Sequence, residues 1–390
     1  MLSSSDMYAR NVLSVGNFFL AVSSTLVSYT LLAYLSSFMS TAHIGFAIAA
    51  GGIIAVITFL FLPQLVARYG AQRLSLFLAF ADMALLFAVA AAPHTVASAI
   101  FAVLALSLQP VIFYELDLLL EATVDNESTT GRVRTLFLTG GNLGALIAPL
   151  LIGTLLARTE EYAYVFFTAA AVLVPFIVLF AARHLPEGEI VGASRVRDSL
   201  LRIARDRDLA AVTVGHFLLY LFYIWAPLYV PIYLHGTLGM PWSTLSWIFA
   251  AMNVPYLLIE YPAGWFADRV LGDKELMMAG FLLTGSALAA VSFITASTVP
   301  LVILAVLVAT RSGAALIESM TEGHFFRRVS EKDIVSVSIF RGVWPLANAT
   351  APLLGSLLLF FGSYQLFFAI TGGIILIGGV ISTFLIRDFR

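Results

Sequence analysis

Twelve long apolar stretches dominate this sequence and limit the folds that are open to it. A helix needs roughly 20 mostly apolar residues to cross the hydrocarbon core of a bilayer. Because 60% of the 390 residues are hydrophobic and only 11% are charged, no soluble single-core protein fits this composition. The stretches are too long and continuous for the strands of an outer-membrane barrel. We therefore predict an all-α polytopic membrane protein with spans near residues 11–38, 41–66, 73–92, 96–121, 134–157, 162–183, 209–235, 243–266, 275–297, 299–322, 334–361 and 363–386.

The two halves of the chain share a sequence pattern. Glu115 is followed 34 residues later by Pro149, and Glu318 is followed 34 residues later by Pro352. Both prolines lie in an Ala-Pro-Leu-Leu segment, and the offset between the halves is 203 residues. Chance similarity of apolar sequence is the alternative, but a second pair of proline-containing turns repeats at a similar offset of 199 residues. A repeat of six spans in a very apolar chain is typical of a membrane carrier.

Charged residues divide the chain and orient it. The one long polar connection, 184–208, separates a predicted six-helix bundle over 1–183 from a second over 209–390. With twelve spans, 18 of the 21 basic residues fall on one side of the membrane and a single one falls in the opposite loops. Basic residues favour the cytoplasmic side. We therefore predict a multi-pass protein of the cell (inner) membrane with cytoplasmic termini and a cytoplasmic linker at 184–208.

The residue types argue against several classes of function. Zero cysteines exclude disulfide, thiol and iron–sulfur chemistry, and a net charge of −2 is too small to indicate a nucleic-acid partner. The sequence has no nucleophile motif, no metal-spaced histidine pair and no phosphate-binding glycine loop. We predict no enzymatic activity, no cofactor and no metal. Without a nucleotide-binding domain, an existing gradient must supply the energy for any transport.

The turn after the eighth span carries a family motif. It reads GWFADRVLGDK and resembles the loop motif of the major facilitator superfamily, in which Gly264, Asp268, Arg269 and Gly272 match the pattern. One extra residue precedes the second glycine, and Asp273 stands where a basic residue is usual. The resemblance implies two pseudo-symmetric six-helix bundles, one substrate site near the midplane, and alternating access by rocking of the halves.

The resemblance also implies a gate. The acid and the base of this motif latch the two bundles in the superfamily, so Asp268 and Arg269 are expected gate residues, with an ordinary solvated turn as the alternative. The counterpart after the second span keeps Arg68 but has Ala67 where the motif has an acid, which implies a weaker latch. The proline segment of the fifth span resembles the antiporter motif of the superfamily only in part, and close packing explains it equally well.

Ionisable residues inside the spans are candidates for coupling. Such groups cost about 2.5–3.5 kcal/mol each at membrane depth and therefore face a partner or a wet cavity. Glu115 in span four and Glu318 in span ten are related by the repeat, and a carboxylate in a low-dielectric cavity can change protonation in the working pH range. We assign both to proton coupling, with a structural ion pair between Glu318 and Arg341 as the alternative. Asp117 and Arg341 are assigned to gating.

Polar and aromatic residues of spans one, seven and ten are candidates for substrate binding. Span seven combines two prolines with an aromatic cluster, and interrupted helices and aromatic side chains often shape cavities, although packing is the alternative. Arg311 is permanently charged and could bind an anionic group of the solute. We do not assign His216 to coupling because it lies near the start of its span. The candidates are Asn17, Tyr29, Tyr220, Tyr223, Trp225 and Arg311.

These observations together predict a secondary active transporter. It would move a small organic solute by alternating access, with a proton as the co- or counter-transported ion, and act as a monomer in the lipid bilayer. Uptake and efflux fit the sequence equally well. The alternative is a sensor or a lipid-handling membrane protein that keeps the transporter fold without solute turnover.

Overall fold

The computed structural model describes residues 4–123, 127–157, 159, 161–186, 201–329 and 334–387. All regular structure in these ranges is helical, which confirms the predicted fold class. The helices are α1 (Ser4–Ser36), α2 (Thr41–Tyr69), α3 (Ala71–Ala91), α4 (Val96–Glu121), α5 (Glu127–Leu156), α6 (Tyr162–Ala181), α7 (Arg207–Pro231), α8 (Trp242–Ala251), α9 (Val254–Arg269), α10 (Asp273–Ala290), α11 (Pro300–Arg328), α12 (Ile334–Phe361) and α13 (Tyr364–Leu385).

The spans agree with the predicted number. In the described ranges, eleven segments are long and apolar enough to cross a membrane, and α2 contains a shorter apolar segment, His43–Phe59. The predicted spans thus correspond to eleven full-length segments and this shorter one. The chain is an integral multi-pass membrane protein.

Two spans are not continuous α-helices. The seventh continues beyond α7 as a π-helix over Ile232–Thr237, directly after Pro231. The eighth is divided into α8 and α9, and Pro255 lies at the start of α9. A proline has no N–H to donate to the preceding turn, so both irregularities lie where the backbone loses a helical hydrogen bond.

The first compact unit comprises residues 1–190 and 227–250. Within it, α1 packs against α5 and α6, and α3 packs against α4 and α6. Glycines bring α5 close to α1, since a Cβ on Gly140 would lie 2.3 Å from the Ser14 carbonyl oxygen and one on Gly144 would lie 2.6 Å from that of Phe18. Small residues at such crossings let membrane helices approach closely and gain van der Waals energy. Burial of apolar surface contributes little here, because the lipid is equally apolar.

The second compact unit comprises residues 191–226 and 251–390. Here α10 packs against α11 and α13, and α11 also packs against α9. Gly280 of α10 and Gly313 of α11 approach each other closely, because a Cβ on Gly313 would lie 2.6 Å from the Gly280 oxygen. The break after residue 190 falls inside the predicted linker 184–208, of which 187–200 lie outside the described residues.

Glycine turns repeat at equivalent places in the two halves. Gly70 precedes α3 with φ 81°, and Gly272 precedes α10 with φ 95°. Both values lie in the region that favours glycine, because a Cβ would clash with the backbone there. The two glycines are 202 residues apart, close to the offset of the sequence repeat.

Each of these turns is followed by a side chain that binds the end of another helix. Gln72 Nε2 donates to the Phe180 oxygen at 2.7 Å, and Gln72 Oε1 accepts from the Leu185 N–H at 2.8 Å. Lys274 Nζ donates to the Ile386 oxygen at 2.8 Å. The amide and the ammonium satisfy carbonyl groups that the last turns of α6 and α13 leave open. Both halves therefore have this kind of contact at a helix end, but they form it with different residues.

A second pair of contacts joins a helix start to a helix end in each half. In the first, the Arg10 guanidinium donates to the Thr123 carbonyl oxygen just after α4. In the second, Arg328 at the end of α11 binds the Asp208 carboxylate, which also accepts the Arg387 N–H at 2.8 Å. We name these the Arg10 contact and the Asp208 contact.

Candidate functional site

A tyrosine and a glutamate from two helices of the second unit form the centre of the candidate site. The Tyr223 hydroxyl of α7 donates to Glu318 Oε2 of α11 at 2.5 Å. Both side chains are half-buried, and the Tyr256 ring of α9 lies edge-on to the Tyr223 ring at 5.9 Å between centroids. Hydrogen bonds to an ionised carboxylate are short and about twice as strong as neutral ones. The structure thus joins a predicted substrate residue to a predicted coupling residue.

Arg311 lies on the same helix as Glu318, seven residues earlier. Its side chain is 3% exposed, and its guanidinium carbon lies 4.8 Å from the centre of the Phe222 ring of α7. A guanidinium over an aromatic face gains electrostatic energy, and more of it where water is excluded. Because seven residues make two helical turns, Arg311 and Glu318 share the face of α11 that contacts α7.

His216 is a functional candidate that the sequence analysis did not choose. It is 1% exposed, and its Nδ1 lies 3.0 Å from Thr321 Oγ1 while its Nε2 lies 3.1 Å from the Tyr220 hydroxyl. Its ring stacks on Phe340 of α12 at 4.2 Å between centroids. The spacing of residues 216, 220 and 223, which places them on one helical face, is the signal that could have found it.

Two predicted substrate residues of the first unit are buried against their own unit. Asn17 is 4% exposed and donates to the Phe137 oxygen of α5 at 2.8 Å. Tyr29 is also 4% exposed, and its ring meets Phe249 edge-on at 5.4 Å between centroids. The structure gives both side chains packing contacts, so their role in substrate binding stays a prediction.

Trp225 lies in the interior of the second unit. It is fully buried, and its indole Nε1 donates to the Ala351 oxygen of α12 at 2.8 Å. A buried indole N–H needs such an acceptor. This contact fixes the centre of α7 to α12 next to Pro352, and a contact of Trp225 with a solute stays a prediction.

Glu115 differs sharply from its repeat partner Glu318. It is fully buried in α4, and in the described part of the chain neither of its carboxylate oxygens has a hydrogen-bond partner. Burial of an ionised carboxylate costs free energy unless a hydrogen-bond donor or a positive charge is paired with it. Asp117, two residues on, is half-buried. The structure therefore places the two predicted coupling acids in different surroundings.

Asp82 of α3 has a polar neighbour that the sequence did not indicate. The side chain is fully buried, and Gln109 Nε2 of α4 donates to Asp82 Oδ2 at 3.4 Å. Gln109 is itself 1% exposed. The two residues form a buried polar contact between α3 and α4 in the first unit. Gln109 lies on the same helix as Glu115.

The unusual acid of the loop motif has partners of its own. Asp273, in the first turn of α10, binds Arg327 Nη2 through Oδ1 at 2.9 Å and lies 3.5 Å from His324 Nδ1. Both partners belong to the last turns of α11. The side chains of the predicted gate residues Asp268, Arg269 and Arg341 lie outside the part of the chain that the structure describes.

Comparisons with known proteins agree with the motif and the helices. Residues 212–389 match the family model described as Major Facilitator Superfamily. A comparison with curated protein sequences finds no significant match. Nucleoside transporter NupG is 16% identical with a TM-score of 0.73, and the alignment covers 98% of this chain and 100% of that one. The chain has the major facilitator superfamily fold.

Two further transporters of this fold are similar over nearly the whole chain. The xylose transporter XylE from E. coli is 12% identical with a TM-score of 0.74, and 99% of each chain is covered. Peptide transporter POT is 14% identical with a TM-score of 0.73, covering 96% of this chain and 93% of that one. At these identities the likeness establishes the fold, and the resemblance drawn from the GWFADRVLGDK turn is confirmed.

In the described residues, no group of three or more histidine, aspartate or glutamate side chains has the geometry of a metal site. The polar side chains that the structure brings together are hydroxyls, one carboxylate, one imidazole and one guanidinium. Groups of these types can exchange protons or form hydrogen bonds with polar solutes.

Proposed function

We propose that this major facilitator protein is a secondary active transporter that moves a small polar organic solute by alternating access, coupled to protons. Transport of nucleosides, peptides and xylose by proteins of the same fold supports the general activity. The observation that carries the coupling is the hydrogen bond from Tyr223 to Glu318.

The coupling follows from competition for one carboxylate oxygen. An ionised Glu318 accepts a hydrogen bond from the Tyr223 hydroxyl, and protonation of Glu318 weakens that bond because the acceptor loses its charge. Protonation would therefore make the Tyr223 hydroxyl more available to a solute. Conversely, a solute that takes the Tyr223 hydroxyl would remove this hydrogen bond from the ionised Glu318 and favour proton binding, since the two equilibria are reciprocal.

The proposed roles of the individual residues follow the sequence assignment. The proposed solute contacts in the second unit are Tyr220, Tyr223, Trp225 and Arg311. The proposed solute contacts in the first unit are Asn17 and Tyr29. Glu115 is the second coupling acid, and its buried, unpartnered carboxylate supports that role. The gate residues are Asp117, Asp268, Arg269 and Arg341.

The experiment starts by finding a solute. The purified protein is screened by thermal denaturation against nucleosides, peptides, sugars, carboxylates and lipids, because a ligand of the folded state raises the denaturation temperature. For a polar compound that stabilises the protein, uptake into proteoliposomes is then measured under an imposed pH gradient. Accumulation against the solute gradient, abolished by a protonophore, is the expected result.

Variants then test the coupling site. Glu318→Gln should abolish accumulation driven by the pH gradient while exchange of labelled for unlabelled solute continues, because Gln cannot change protonation. Glu275→Gln in α10 is the control and should accumulate solute as the wild type does. Unchanged accumulation in Glu318→Gln would refute the coupling role. Binding of lipids alone, with no flux of any solute, would favour the lipid-handling alternative.

We propose the inner membrane as the location, with both termini in the cytoplasm. Because the chain has no cysteine, single cysteines can be introduced at Ser5 and Thr159 without removing any native thiol. An impermeant maleimide added to intact cells should label the cysteine at 159 and spare the one at 5. The reverse pattern would overturn the proposed orientation.

A further inference from the structure

We propose that His216 is a protonation site in addition to Glu318 and Glu115, and that a proton bound there reverses the hydrogen bond between His216 and Tyr220. This inference rests on the proposed function, because it adds a second titratable group to the same proton-coupled site. Its starting point is the chain of contacts from Thr321 through His216 to Tyr220, described above.

The contacts determine the tautomer of the neutral ring. The Thr321 hydroxyl donates to the Ile317 oxygen of its own helix at 2.8 Å. Its oxygen is therefore left to accept from His216, which places the ring proton on Nδ1. His216 Nε2 is then an acceptor, and the Tyr220 hydroxyl, 3.1 Å away, donates to it.

Protonation changes the role of Tyr220. A proton bound at Nε2 turns this nitrogen into a donor, and Tyr220 then accepts from it instead of donating. The Tyr220 hydroxyl proton must rotate towards another acceptor. Thr321 and Tyr220 remain the partners of the two ring nitrogens in either state, so the neutral and the cationic imidazole can each form these two hydrogen bonds.

The surroundings of His216 come from three helices. From α12, Phe340 stacks on the ring, and Trp344 stacks on Tyr220 at 6.1 Å between centroids. From α11, Thr321 contacts the ring and also donates to the backbone carbonyl oxygen of Glu318 at 3.2 Å. The α10 and α13 side chains next to the neighbouring Gly215 are uncharged, namely Phe281 and Ser382.

Glu318 lies about one helical turn before Thr321 on α11, and its carboxylate accepts from Tyr223. Of the other ionisable residues on that helix, Glu322 and His324 follow Thr321 towards the helix end, and Arg311 lies seven residues before Glu318. The side chain of Arg341, next to Phe340, lies outside the described residues. A proton on His216 and the charge on Glu318 would attract each other across about one helical turn.

Two protonation sites would then control two neighbouring tyrosines. Glu318 controls the hydroxyl of Tyr223, and His216 controls that of Tyr220, whose ring lies 6.1 Å from the Tyr223 ring. When His216 is protonated, the Tyr220 hydroxyl accepts from Nε2 and no longer donates to it.

The test follows the His216 ring by NMR. Full-length protein labelled with ¹⁵N-histidine is placed in nanodiscs and titrated from about pH 5 to pH 9 without solute or gradient. His216 is assigned by the loss of its signals in His216→Gln. A protein in which the other five histidines are replaced by glutamine gives the same assignment without altering position 216, if His216→Gln does not fold.

We expect His216 to carry its proton on Nδ1 at high pH and to gain a second proton as the pH falls. Tyr220→Phe removes the acceptor of the Nε2 proton, so the ratio of protonated to neutral His216 at a given pH should fall by roughly tenfold. Tyr229→Phe on the same helix is the control and should leave the ratio unchanged.

The outcomes separate this inference from the transport proposal. A ring that holds a single proton over the whole range, or an equal titration in Tyr220→Phe and wild type, would overturn the role of His216 and leave Glu318 coupling untouched. If His216 titrates as expected while Glu318→Gln still accumulates solute, the transport proposal fails at Glu318 and the protonation site stands.

Discussion

The close packing of α13 on α10 predicts opposite effects for two adjacent glycines. A Cβ on Gly372 would lie 2.4 Å from the Ala289 nitrogen and 2.7 Å from its Cα, both backbone atoms of α10. A Cβ on Gly373, the next residue, would have no atom within 4 Å. Backbone atoms cannot rotate away, so Gly372→Ala would force the two helices apart.

The magnitude follows from comparing the two variants. To bring the 2.4 Å contact to the 3.0 Å that real Cβ atoms keep, α13 must move away by roughly 0.6 Å. Overpacking of this kind costs typically about 1–3 kcal/mol. Both variants gain the same helix propensity, about 0.5–1 kcal/mol. Gly372→Ala should therefore be less stable than Gly373→Ala by about 1–3 kcal/mol, and Gly373→Ala should match or exceed the wild type.

The assay is reversible unfolding of the purified protein by SDS in mixed micelles, followed by circular dichroism, which gives the free energy of unfolding for each variant. Gly313 and Gly323 of α11 form an independent pair, because a Cβ on Gly313 would lie 2.3 Å from Thr284 Oγ1 and one on Gly323 would contact nothing within 4 Å. Equal stabilities within both pairs would refute the packing argument.

Three further predictions concern contacts at helix ends and in the interior. Gln72→Ala should cost about 1–3 kcal/mol and should speed hydrogen exchange at the end of α6 selectively, as mass spectrometry of the peptides can show. Asp273→Asn should lower the free energy of unfolding by about 1 kcal/mol, a value kept small because Arg327 is 44% exposed, and the effect should shrink in high salt. Trp225→Phe removes the indole donor to the Ala351 oxygen and should cost about 1–3 kcal/mol, measurable in the same SDS titration; a stability equal to that of the wild type would show that water or another donor replaces the indole.

The membrane spans could be predicted because bilayer thickness alone sets their length. The apolar stretch near 96–121 coincides with α4, and the predicted seventh span near 209–235 lies within α7 and the π-helix that follows it. The division of the eighth span into α8 and α9 was missed. Hydropathy does not register a lost hydrogen bond, and Pro255 lies in a segment that is still apolar enough to cross a membrane.

The candidate site was predictable only in part. The seven-residue spacing of Arg311 and Glu318 places both on one helical face, and that face contacts α7 in the structure. The partner of Glu318 was not predictable, because the axial register of two membrane helices depends on the small residues at their crossings. His216 was set aside for its position near the helix start, although its spacing from Tyr220 and Tyr223 already placed it on their face.

Repeat symmetry did not predict the different surroundings of the two acids. Glu115 and Glu318 occupy equivalent positions, and the sequence assigned both the same role. The structure gives Glu318 a tyrosine donor at 2.5 Å and gives Glu115 no hydrogen-bond partner in the described residues. A repeat preserves the backbone position of a residue, but its neighbours come from other helices whose sequences have diverged.

The Arg10 contact and the Asp208 contact join helix ends at equivalent places with different chemistry, and this difference sets how freely each half can change. The Asp208 contact pairs two side chains, Asp208 and Arg328, so an exchange of the acid and the base could keep the attraction. The Arg10 contact pairs a side chain with a backbone carbonyl, which no substitution at Thr123 can turn into a donor. Mutation can therefore reverse the polarity of the Asp208–Arg328 pair in the second half of the protein, whereas in the first half position 10 must keep a hydrogen-bond donor.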